Sequence, residues 1–388
     1  MIPIGTTTIT NNAQSRFGFG ALSGICDALS GLGIKRPLIC SDKGLRDVGL
    51  IDRLLDELPG SMPATVFDAT PPNPTESAIN DASYLYQDCN CDGVITIGGG
   101  ASIDLGKAVA LRTTHSEPLQ SYITQNRGTE KISNVAPIVA IPTTAGTGSE
   151  VARASVVILD NGEKRVITSP MLIPRLSILD PELTLSLPPY LTAATGMDAV
   201  THCIEAVISP IVNPPAEAIG LDGIERALGN GALQSAVSNG SDRDARWTMM
   251  LVSTEGAMAF SKGLGAVHAM SHACGKDLDL KLHHGTLNAV LLPSVLRYNY
   301  EYARDKYPKI ARAMGLPPDA DLATAITVLN AELGLPDGLG AMGISADMVL
   351  DLATHAVDDM CTATNPAPLD KAGYVRLFEM ALSSSNIT

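Results

Sequence analysis

Hydrophobic and polar positions follow two different periods before residue 185. Short apolar, β-branched runs alternate with segments whose apolar residues recur at helical spacing. The pattern predicts strands at 37–41, 64–68, 93–97 and 137–141, and helices at 19–32, 48–58, 75–88 and 101–112. Because strand–helix alternation builds parallel sheets with both faces covered, we expect an α/β domain here.

One segment of this region departs from the alternation. Two β-branched runs within 155–168 flank Asn161-Gly162, which is the strongest short signal for a β-hairpin. After Pro181 the β-rich runs end, and long helical patterns rich in Ala, Leu and Met continue to the C-terminus. We therefore predict an α/β domain at 1–184 and an all-helical domain at 185–388.

Composition narrows the classes of function. The chain has 388 residues, 45% of them hydrophobic, and a formal charge of −14, which argues against nucleic acid and anionic membranes as partners. The odd number of cysteines, without a C-x-x-C pair, indicates reduced thiols. The sequence shows no signal peptide and no apolar run near the about 20 residues that span a bilayer. We expect a cytoplasmic protein.

A glycine-rich turn, 98–107, follows a predicted strand and opens a predicted helix. Glycines let the backbone approach a phosphate, and the helix N-terminus favours an anion. The spacings of the dinucleotide fingerprint and of the P-loop are both absent, so a plain strand-to-helix turn is the alternative interpretation. Segment 142–149 and Ser41-Asp42 also follow predicted strands, and three such loops suit a nucleotide crevice. A carboxylate at Asp42 would accept bonds from a ribose diol and repel a 2′-phosphate, which favours NAD over NADP.

Five of the seven histidines lie in two short stretches, 195–202 and 267–284. Asp198 and His202 are four residues apart, as are His268 and His272, so a helix would place each pair on one face. Three imidazoles and one carboxylate can surround a divalent metal and leave a position for a substrate oxygen. The alternative interpretation is a helical ion pair with an ordinary core histidine. The pattern favours a metal-dependent enzyme.

Taken together, these motifs resemble the iron-containing, group III alcohol dehydrogenases, which share a fold with glycerol dehydrogenases and dehydroquinate synthases. The resemblance covers nearly the whole chain. It is carried by the segments 72–75, 98–107, 141–151, 179–181, 195–202, 263–272, 284–285, 288–290 and 365–366.

The resemblance implies an N-terminal NAD(P)-binding α/β domain, an all-helical C-terminal domain and a metal in the cleft between them. The implied metal ligands are Asp198, His202, His268 and His284, with His272 as a catalytic residue near the nicotinamide. From the loops described above together with the resemblance, the expected cofactor-binding residues are Asp42, Asn73, Gly98, Gly99, Gly100, Ala101, Ser102, Asp104, Thr143, Thr144, Thr147, Ser149 and Lys164.

The chain departs from the family pattern at two places beside the pocket. Segment 260–263 has one residue fewer than the family pattern, and segment 276–284 has two residues more. The fourth ligand could therefore be His283, although the glycine after His284 favours His284. In the longer segment, Lys276 and Lys281 are either solvated charges or a means of attracting an acidic substrate tail.

The expected reaction is reversible oxidation of a small primary alcohol to an aldehyde with NAD, with Fe²⁺ as cofactor. Zn²⁺ is a competing occupant, because it binds more tightly to a nitrogen–oxygen ligand set. The alternatives are a dehydrogenase of an anionic hydroxy acid such as 4-hydroxybutyrate, and a lyase of the dehydroquinate synthase type. We expect a homodimer or a larger homo-oligomer.

Overall fold

The chain divides into two compact units. A computed structural model describes residues 7–10, 14–276, 280 and 282–383. The described residues up to Thr144 form one unit with Ser149–Leu185, and Ala145–Gly148 form the other with the described residues from Ser186 onward. Lys281 and residues 277–279 of the longer segment lie outside the described residues.

The first unit contains a mixed, mainly parallel sheet. The strands of this unit are β1 (Thr7–Thr10), β2 (Gln14–Phe17), β3 (Pro37–Cys40), β4 (Thr65–Phe67), β5 (Gly93–Gly98), β6 (Ile138–Pro142), β7 (Ala154–Ile158), β8 (Lys164–Thr168) and β9 (Leu176–Leu179). The sheet has the spatial order β1-β2-β9-β6-β5-β3-β4, and within it β1 alone runs antiparallel to its neighbour. A separate antiparallel hairpin pairs β7 with β8.

Both faces of the sheet are buried, because successive side chains of a strand point to opposite faces. Leu38 and Val94 belong to one apolar cluster, whereas the next residues, Ile39 and Ile95, belong to another. The predicted α/β sheet with two covered faces is confirmed. The hairpin around Asn161-Gly162 is also confirmed, and Gly162 adopts a φ of 80° in its turn.

The helices of this unit cover the two faces. They are α1 (Ile25–Leu32), α2 (Lys43–Asp47), α3 (Leu50–Asp56), α4 (Glu76–Asp88) and α5 (Gly100–Arg112). The predicted helix at 48–58 is wrong at its start. Gly49, with a φ of 76°, interrupts the helical path between α2 and α3. The predicted helix at 19–32 begins instead as a 3₁₀ turn, Ala21–Gly24.

The second unit is helical in its described residues, as expected. Its helices are α6 (Pro189–Ile208), α7 (Pro214–Ile224), α8 (Ala232–Ser238), α9 (Arg243–Ala259), α10 (Ala266–Cys274), α11 (His284–Asn299), α12 (Tyr307–Ala313), α13 (Leu322–Glu332), α14 (Val349–Val357) and α15 (Lys371–Ala381). Helix α6 is buried along most of its length, so polar residues within it need partners from the surrounding helices. Among the described residues, no helix is long and apolar enough to cross a membrane.

Candidate metal centre and nucleotide loops

The three predicted nucleotide loops, at 41–42, 98–107 and 142–149, lie at the carboxyl ends of adjacent strands. Strands β6, β5 and β3 are neighbours in the sheet. The Thr143 amide, after β6, donates to the Gly98 carbonyl at the end of β5 (3.0 Å). The Ser102 hydroxyl donates to Asp42, which follows β3, at 3.3 Å. Crevices outside the carboxyl ends of parallel strands are where this class of sheet binds nucleotides.

The turn from β5 into α5 requires glycine. Gly98 has a φ of 151°, and a Cβ there would lie 2.6 Å from the Ser102 Oγ. Gly99 is the N-cap of α5 and offers no side-chain cap, and Gly100, Ala101 and Ser102 form the first turn. The Thr144 Oγ1 lies 3.6 Å from where a Gly99 Cβ would stand. Because the glycines at the start of α5 have no side chains, a phosphate can come close to the backbone amides there.

Asp42 serves the backbone as well as the predicted ribose site. Its Oδ1 accepts a hydrogen bond from the Leu45 amide at 3.1 Å, so Asp42 is the N-cap of α2. Its Oδ2 is the atom that faces Ser102. An ionised carboxylate can accept further bonds, so both roles are chemically compatible.

Asp104 and Ser149 belong to a buried network around Lys107. The Ser149 hydroxyl donates to Asp104 Oδ1 (2.5 Å), and the Val156 amide donates to Asp104 Oδ2 (2.9 Å). Lys107 is fully buried, and its Nζ contacts the Ser149 carbonyl (2.6 Å), the Ser149 hydroxyl (2.9 Å) and the Ala152 carbonyl (2.9 Å). Burial lowers the pKa of Lys107 to about 8, although the charges of nearby carboxylates oppose that shift. This network ties the segment after residue 148 to α5.

The remaining predicted cofactor residues lie elsewhere. The Lys164 Nζ, on β8, donates to the Asn73 side-chain oxygen at 3.0 Å. The same part of the hairpin is held by the Ile158 amide, which donates to the Pro74 carbonyl at 2.7 Å. Thr147 belongs to the second compact unit, unlike the other predicted cofactor residues.

Four candidate metal ligands converge within the second unit. Asp198 and His202 lie one turn apart on α6, His268 lies on α10, and His284 is the first residue of α11. Asp198 Oδ1 lies 3.8 Å from His202 Nε2, 3.8 Å from His268 Nε2 and 3.7 Å from His284 Nε2. Donor atoms bonded to one cation at about 2.1 Å are spaced on this scale.

Glycines allow the supporting helices to approach α6 closely. A Cβ on Gly285, beside His284, would lie 2.3 Å from the Ala194 carbonyl of α6. A Cβ on Gly256 of α9 would lie 3.1 Å from the His202 Cβ. Larger residues at either position would push the ligand-bearing helices apart.

The surroundings of the Asn288 side chain indicate whether these residues suit a cation. Its amide Nδ2 lies 2.6 Å from Asp198 Oδ1, 3.2 Å from His268 Nε2 and 3.1 Å from His284 Nε2. An amide group has two N–H protons, so it cannot satisfy three acceptors at once. A divalent cation accepts lone pairs instead, and the donor atoms of Asp198, His202 and His268 lie within 4.8 Å of one another, with His284 Nε2 3.7 Å from Asp198 Oδ1. The donor set therefore fits a metal ion.

Glu205 forms a hydrogen bond with His268 at Nδ1, the ring nitrogen that does not face Asp198. It lies on α6 and is 1% exposed. Its Oε2 accepts a hydrogen bond from His268 Nδ1 (2.6 Å), and its Oε1 accepts one from the Val267 amide at the start of α10 (2.8 Å). A carboxylate that is bonded to Nδ1 of a histidine fixes the orientation of the ring and leaves Nε2 available to bind a metal. His284 is held similarly, with its Nδ1 2.8 Å from the Ser271 hydroxyl.

Burial and charge have opposite effects on two of the imidazoles. Burial lowers the pKa of His202 to about 4, although Asp198 opposes the shift. Burial also acts against protonation of His268, but the hydrogen bond and charge of Glu205 outweigh it and raise its pKa. A metal ligand must be neutral, so binding a cation at His268 is coupled to release of any proton there.

The neighbouring His283 has a different task. It is the N-cap of α11, and its Nδ1 lies 3.4 Å from the Thr286 amide. Of the two adjacent histidines, His284 is thus the one whose Nε2 faces Asp198.

Comparison with known proteins identifies the family. Residues 12–181 match the model of the iron-containing alcohol dehydrogenases, and residues 192–382 match the C-terminal model of the same family. The chain belongs to the iron-containing alcohol dehydrogenase family. It is therefore an oxidoreductase, as the sequence motifs indicate.

Relatives of this dehydrogenase match it along nearly its whole length. The 4-hydroxybutyrate dehydrogenase of Cupriavidus necator is 46% identical over 372 residues, covering 94% of this chain and 97% of that protein. The crystal structure of a 1,3-propanediol oxidoreductase superposes with a TM-score of 0.90 at 35% identity, covering 97% and 99% of the two chains. The sulfoacetaldehyde reductase of Bifidobacterium kashiwanohense, solved with NAD⁺, gives a TM-score of 0.84 at 27% identity, covering 97% and 98%.

Two features of this alcohol dehydrogenase escape sequence reasoning. The spacing of Glu205 after His202 fits a ligand support and a surface charge equally well, and burial distinguishes the two. Asp359 carries no motif signal, yet its Oδ2 lies 2.9 Å from His272 Nδ1. Burial of Asp359 opposes its ionisation, but the charge and hydrogen bond of His272 outweigh that effect and hold its pKa at about 2.

The structure also gives Lys276 a partner. Its Nζ lies 2.6 Å from a carboxylate oxygen of Asp351 on α14, so it is engaged in an ion pair within the protein. The interpretation of Lys276 as a free cation for an acidic substrate is therefore weakened. Lys281, the other cation of that hypothesis, lies outside the described residues.

Proposed function

We propose that this dehydrogenase catalyses reversible, NAD-linked oxidation of a small primary alcohol at a divalent metal held by Asp198, His202, His268 and His284. The convergence of three imidazole nitrogens around one carboxylate oxygen, at 3.7–3.8 Å, carries the proposal. When bound, the cation would supply Lewis-acid polarisation of the substrate oxygen, and NAD would supply the hydride acceptor.

The protein's own residues prepare that chemistry. Glu205 holds His268 with Nε2 directed towards Asp198, and Ser271 holds His284 in the same way. His272 Nε2 takes the proton that the alcohol loses and passes it towards solvent, as a general base of this type does. Asn288 Nδ2 donates a hydrogen bond to Asp198 Oδ1 and so keeps this carboxylate in place.

Ferrous iron is the proposed resident metal, in keeping with the family. The donor set contains nitrogen and oxygen without sulfur, and such a set also takes Zn²⁺. Preparations exposed to air are therefore expected to carry zinc or a mixture of metals.

The loops after β3, β5 and β6 are the proposed nucleotide site. The turn at Gly98–Ser102 would receive the diphosphate at the start of α5, and Thr143 and Thr144 would border it. Asp42 would accept bonds from the adenosine ribose and disfavour a 2′-phosphate. The other proposed cofactor-proximal residues are Asn73, Asp104, Thr147, Ser149 and Lys164.

For the physiological substrate, 4-hydroxybutyrate is the first candidate. The relative from Cupriavidus necator carries this substrate in its name and matches this chain along almost its whole length. Because Lys276 is paired with Asp351, we assign no residue to the substrate carboxylate. A 1,3-diol is the second candidate, from the name of another relative.

We further propose a homodimer in the cytoplasm. None of the seven cysteines forms a disulfide in the structure, which suits a reducing compartment. Light scattering after gel filtration measures the assembly, and cell fractionation locates it.

The deciding experiment measures NADH formation by metal-stripped protein, with and without anaerobic Fe²⁺. The substrates are 4-hydroxybutyrate, 1,3-propanediol and ethanol at matched concentrations. Iron-dependent NADH formation, with the highest kcat/KM for 4-hydroxybutyrate, is expected. Metal-independent turnover would contradict the proposed site, and a preference for the uncharged alcohols would contradict the proposed substrate.

A further inference from the structure

Helix α10 presents two histidines one turn apart, and each has its own carboxylate. His268 Nδ1 bonds Glu205, and its Nε2 faces Asp198. His272 Nδ1 lies 2.9 Å from Asp359 Oδ2, and its ring stacks on that of His284, with centroids 5.6 Å apart and planes at 11°. The two pairs are chemically alike, but only His268 belongs to the candidate ligand set.

The carboxylate of Asp359 is fixed at both oxygens. While Oδ2 faces His272, Oδ1 accepts a hydrogen bond from the Cys361 amide at 2.8 Å. Asp359 is the N-cap of a 3₁₀ helix, Met360–Thr364, whose Thr362 hydroxyl lies 2.6 Å from the Tyr374 hydroxyl. The His272 and Asp359 side chains are each 12% exposed, so little water competes for their bond.

This geometry restricts the proton arrangement of His272. An ionised carboxylate can only accept hydrogen bonds, so the Nδ1 that faces Asp359 must carry a proton. In the neutral ring, the lone pair then lies on Nε2. A ring without this partner would divide between two tautomers and would rotate more freely.

We propose that Asp359 is the positioning residue of the reaction: it holds His272 in the Nδ1–H tautomer and presents Nε2 as the atom that takes the substrate proton. The inference rests on the proposed dehydrogenase function, because only that reaction gives Nε2 a proton to receive. Asp359 itself touches neither substrate nor metal. Its contribution passes entirely through the ring of His272.

The test uses Asp359→Asn in the full-length, metal-loaded enzyme. Asparagine caps helices as well as aspartate does, so the bond to the Cys361 amide survives. The group facing His272 becomes an amide that either donates a bond or accepts one weakly, so the tautomer is no longer imposed. Asp358→Asn is the matched control, because it removes the same charge from the adjacent, exposed residue.

The first readout is kinetic. For Asp359→Asn we expect kcat for the alcohol to fall at least about 100-fold, with KM and metal affinity each changed by less than about threefold. In a His272→Ala background, Asp359→Asn should have almost no further effect, because residues that act as a unit are non-additive. A full additional loss in that background would overturn the proposal and indicate a structural role for Asp359.

The second readout does not depend on activity. Nitrogen-15 NMR of the zinc-loaded, histidine-labelled protein reports which ring nitrogen of His272 is protonated, and His272→Ala assigns its signals among seven histidines. Nδ1–H is expected in the wild type and in Asp358→Asn, and a shift towards Nε2–H in Asp359→Asn. A wild-type ring protonated at Nε2 alone would overturn the inference.

The readouts separate failure of the inference from failure of the proposed function. If the wild type forms no NADH with any alcohol while His272 carries Nδ1–H, the function fails and the arrangement of the pair stands. His272, Asp359 and Cys361 also place donor atoms within 4.8 Å of one another. Binding of a second zinc per chain that Asp359→Asn abolishes would overturn the positioning role in favour of a metal site.

Discussion

The two compact units use their polar residues differently. In the α/β unit, the side chains predicted to bind the nucleotide form hydrogen bonds within the protein. Asp42 accepts a bond from the Leu45 amide and caps α2, and Asp104 accepts bonds from the Ser149 hydroxyl and the Val156 amide. In the helical unit, the polar side chains of α6 and α10 face one another, and the Nε2 atoms of His202 and His268 each lie 3.8 Å from Asp198 Oδ1.

The difference has a geometric origin. Residues four apart on a helix share a face, so their spacing in the sequence already fixes part of their arrangement in space. A loop residue has no such constraint, and a short polar side chain in a loop readily bonds a nearby amide. Spacing on helices is therefore a sharper predictor of a site than polar content in loops.

The strongest test of this contrast removes a ligand from the helical unit. His268→Ala should lower bound metal from about one ion per chain to nearly none, and NADH formation by at least about 1,000-fold, with circular dichroism unchanged. Metal analysis after anaerobic loading measures the first effect. His355→Ala, at an exposed position on α14, is the control and should retain both metal and turnover. Full metal content in His268→Ala would contradict the ligand assignment.

A buried cation in the α/β unit should affect stability instead of chemistry. Lys107→Met leaves the carbonyls of Ser149, Ala152 and Ala154 and the Ser149 hydroxyl without their donor. We expect a loss of about 3 kcal/mol in the free energy of unfolding, measured by urea titration of the metal-loaded protein. Metal affinity should not change. The exposed Lys43→Met serves as control, and equal stabilities of the two variants would show that the network is dispensable.

Glu205→Gln probes the support of the metal centre. Both partners of Glu205 are N–H donors, so an amide that replaces it must oppose one of them with a donor of its own. The affinity for Zn²⁺, measured by competition with a chelator, should fall about 10- to 100-fold. The exposed Glu332→Gln on α13 should bind as the wild type does. An unchanged affinity in Glu205→Gln would reduce Glu205 to a helix cap.

Asp42→Asn separates the two tasks of Asp42 with the smallest expected effect. Asparagine keeps the cap of α2 but removes the negative charge. The ratio of kcat/KM with NADP to that with NAD should rise about tenfold, because a like charge no longer faces the 2′-phosphate. Thermal stability should stay constant. If the ratio does not move, Asp42 is a cap and nothing more.

Much of this architecture is predictable from the sequence. Strands such as Gly93–Gly98 are rich in apolar, β-branched residues and buried along their whole length, as strands of parallel sheets are, and the periodic helices between them leave few alternatives. The convergence of the candidate ligands is partly predictable, because Asp198, His202 and His268 lie on helices and helical periodicity determines which residues share a face. Burial of Glu205 depends on how α10 packs against α6, and no local pattern encodes that.

The missed features depend on distant partners. Strand β9 is four residues long, and its pairing with β2 and β6 comes from residues far away in the sequence. The pair of His272 and Asp359 spans 87 residues, and neither neighbourhood points to the other. Gly49 divides a predicted helix because a positive φ depends on how the chain must turn, and apolar periodicity does not record it.

The candidate ligands come from three separate helices, α6, α10 and α11, and this has a consequence for the life of the protein in the cell. A bound ion would act as a removable cross-link, because it joins chain segments that the unfolded state leaves far apart. Chelation should then speed cleavage of the helical unit by an added protease while leaving the α/β unit unaffected. The amount of this enzyme in a cell would thereby follow the supply of iron as well as the rate of its synthesis.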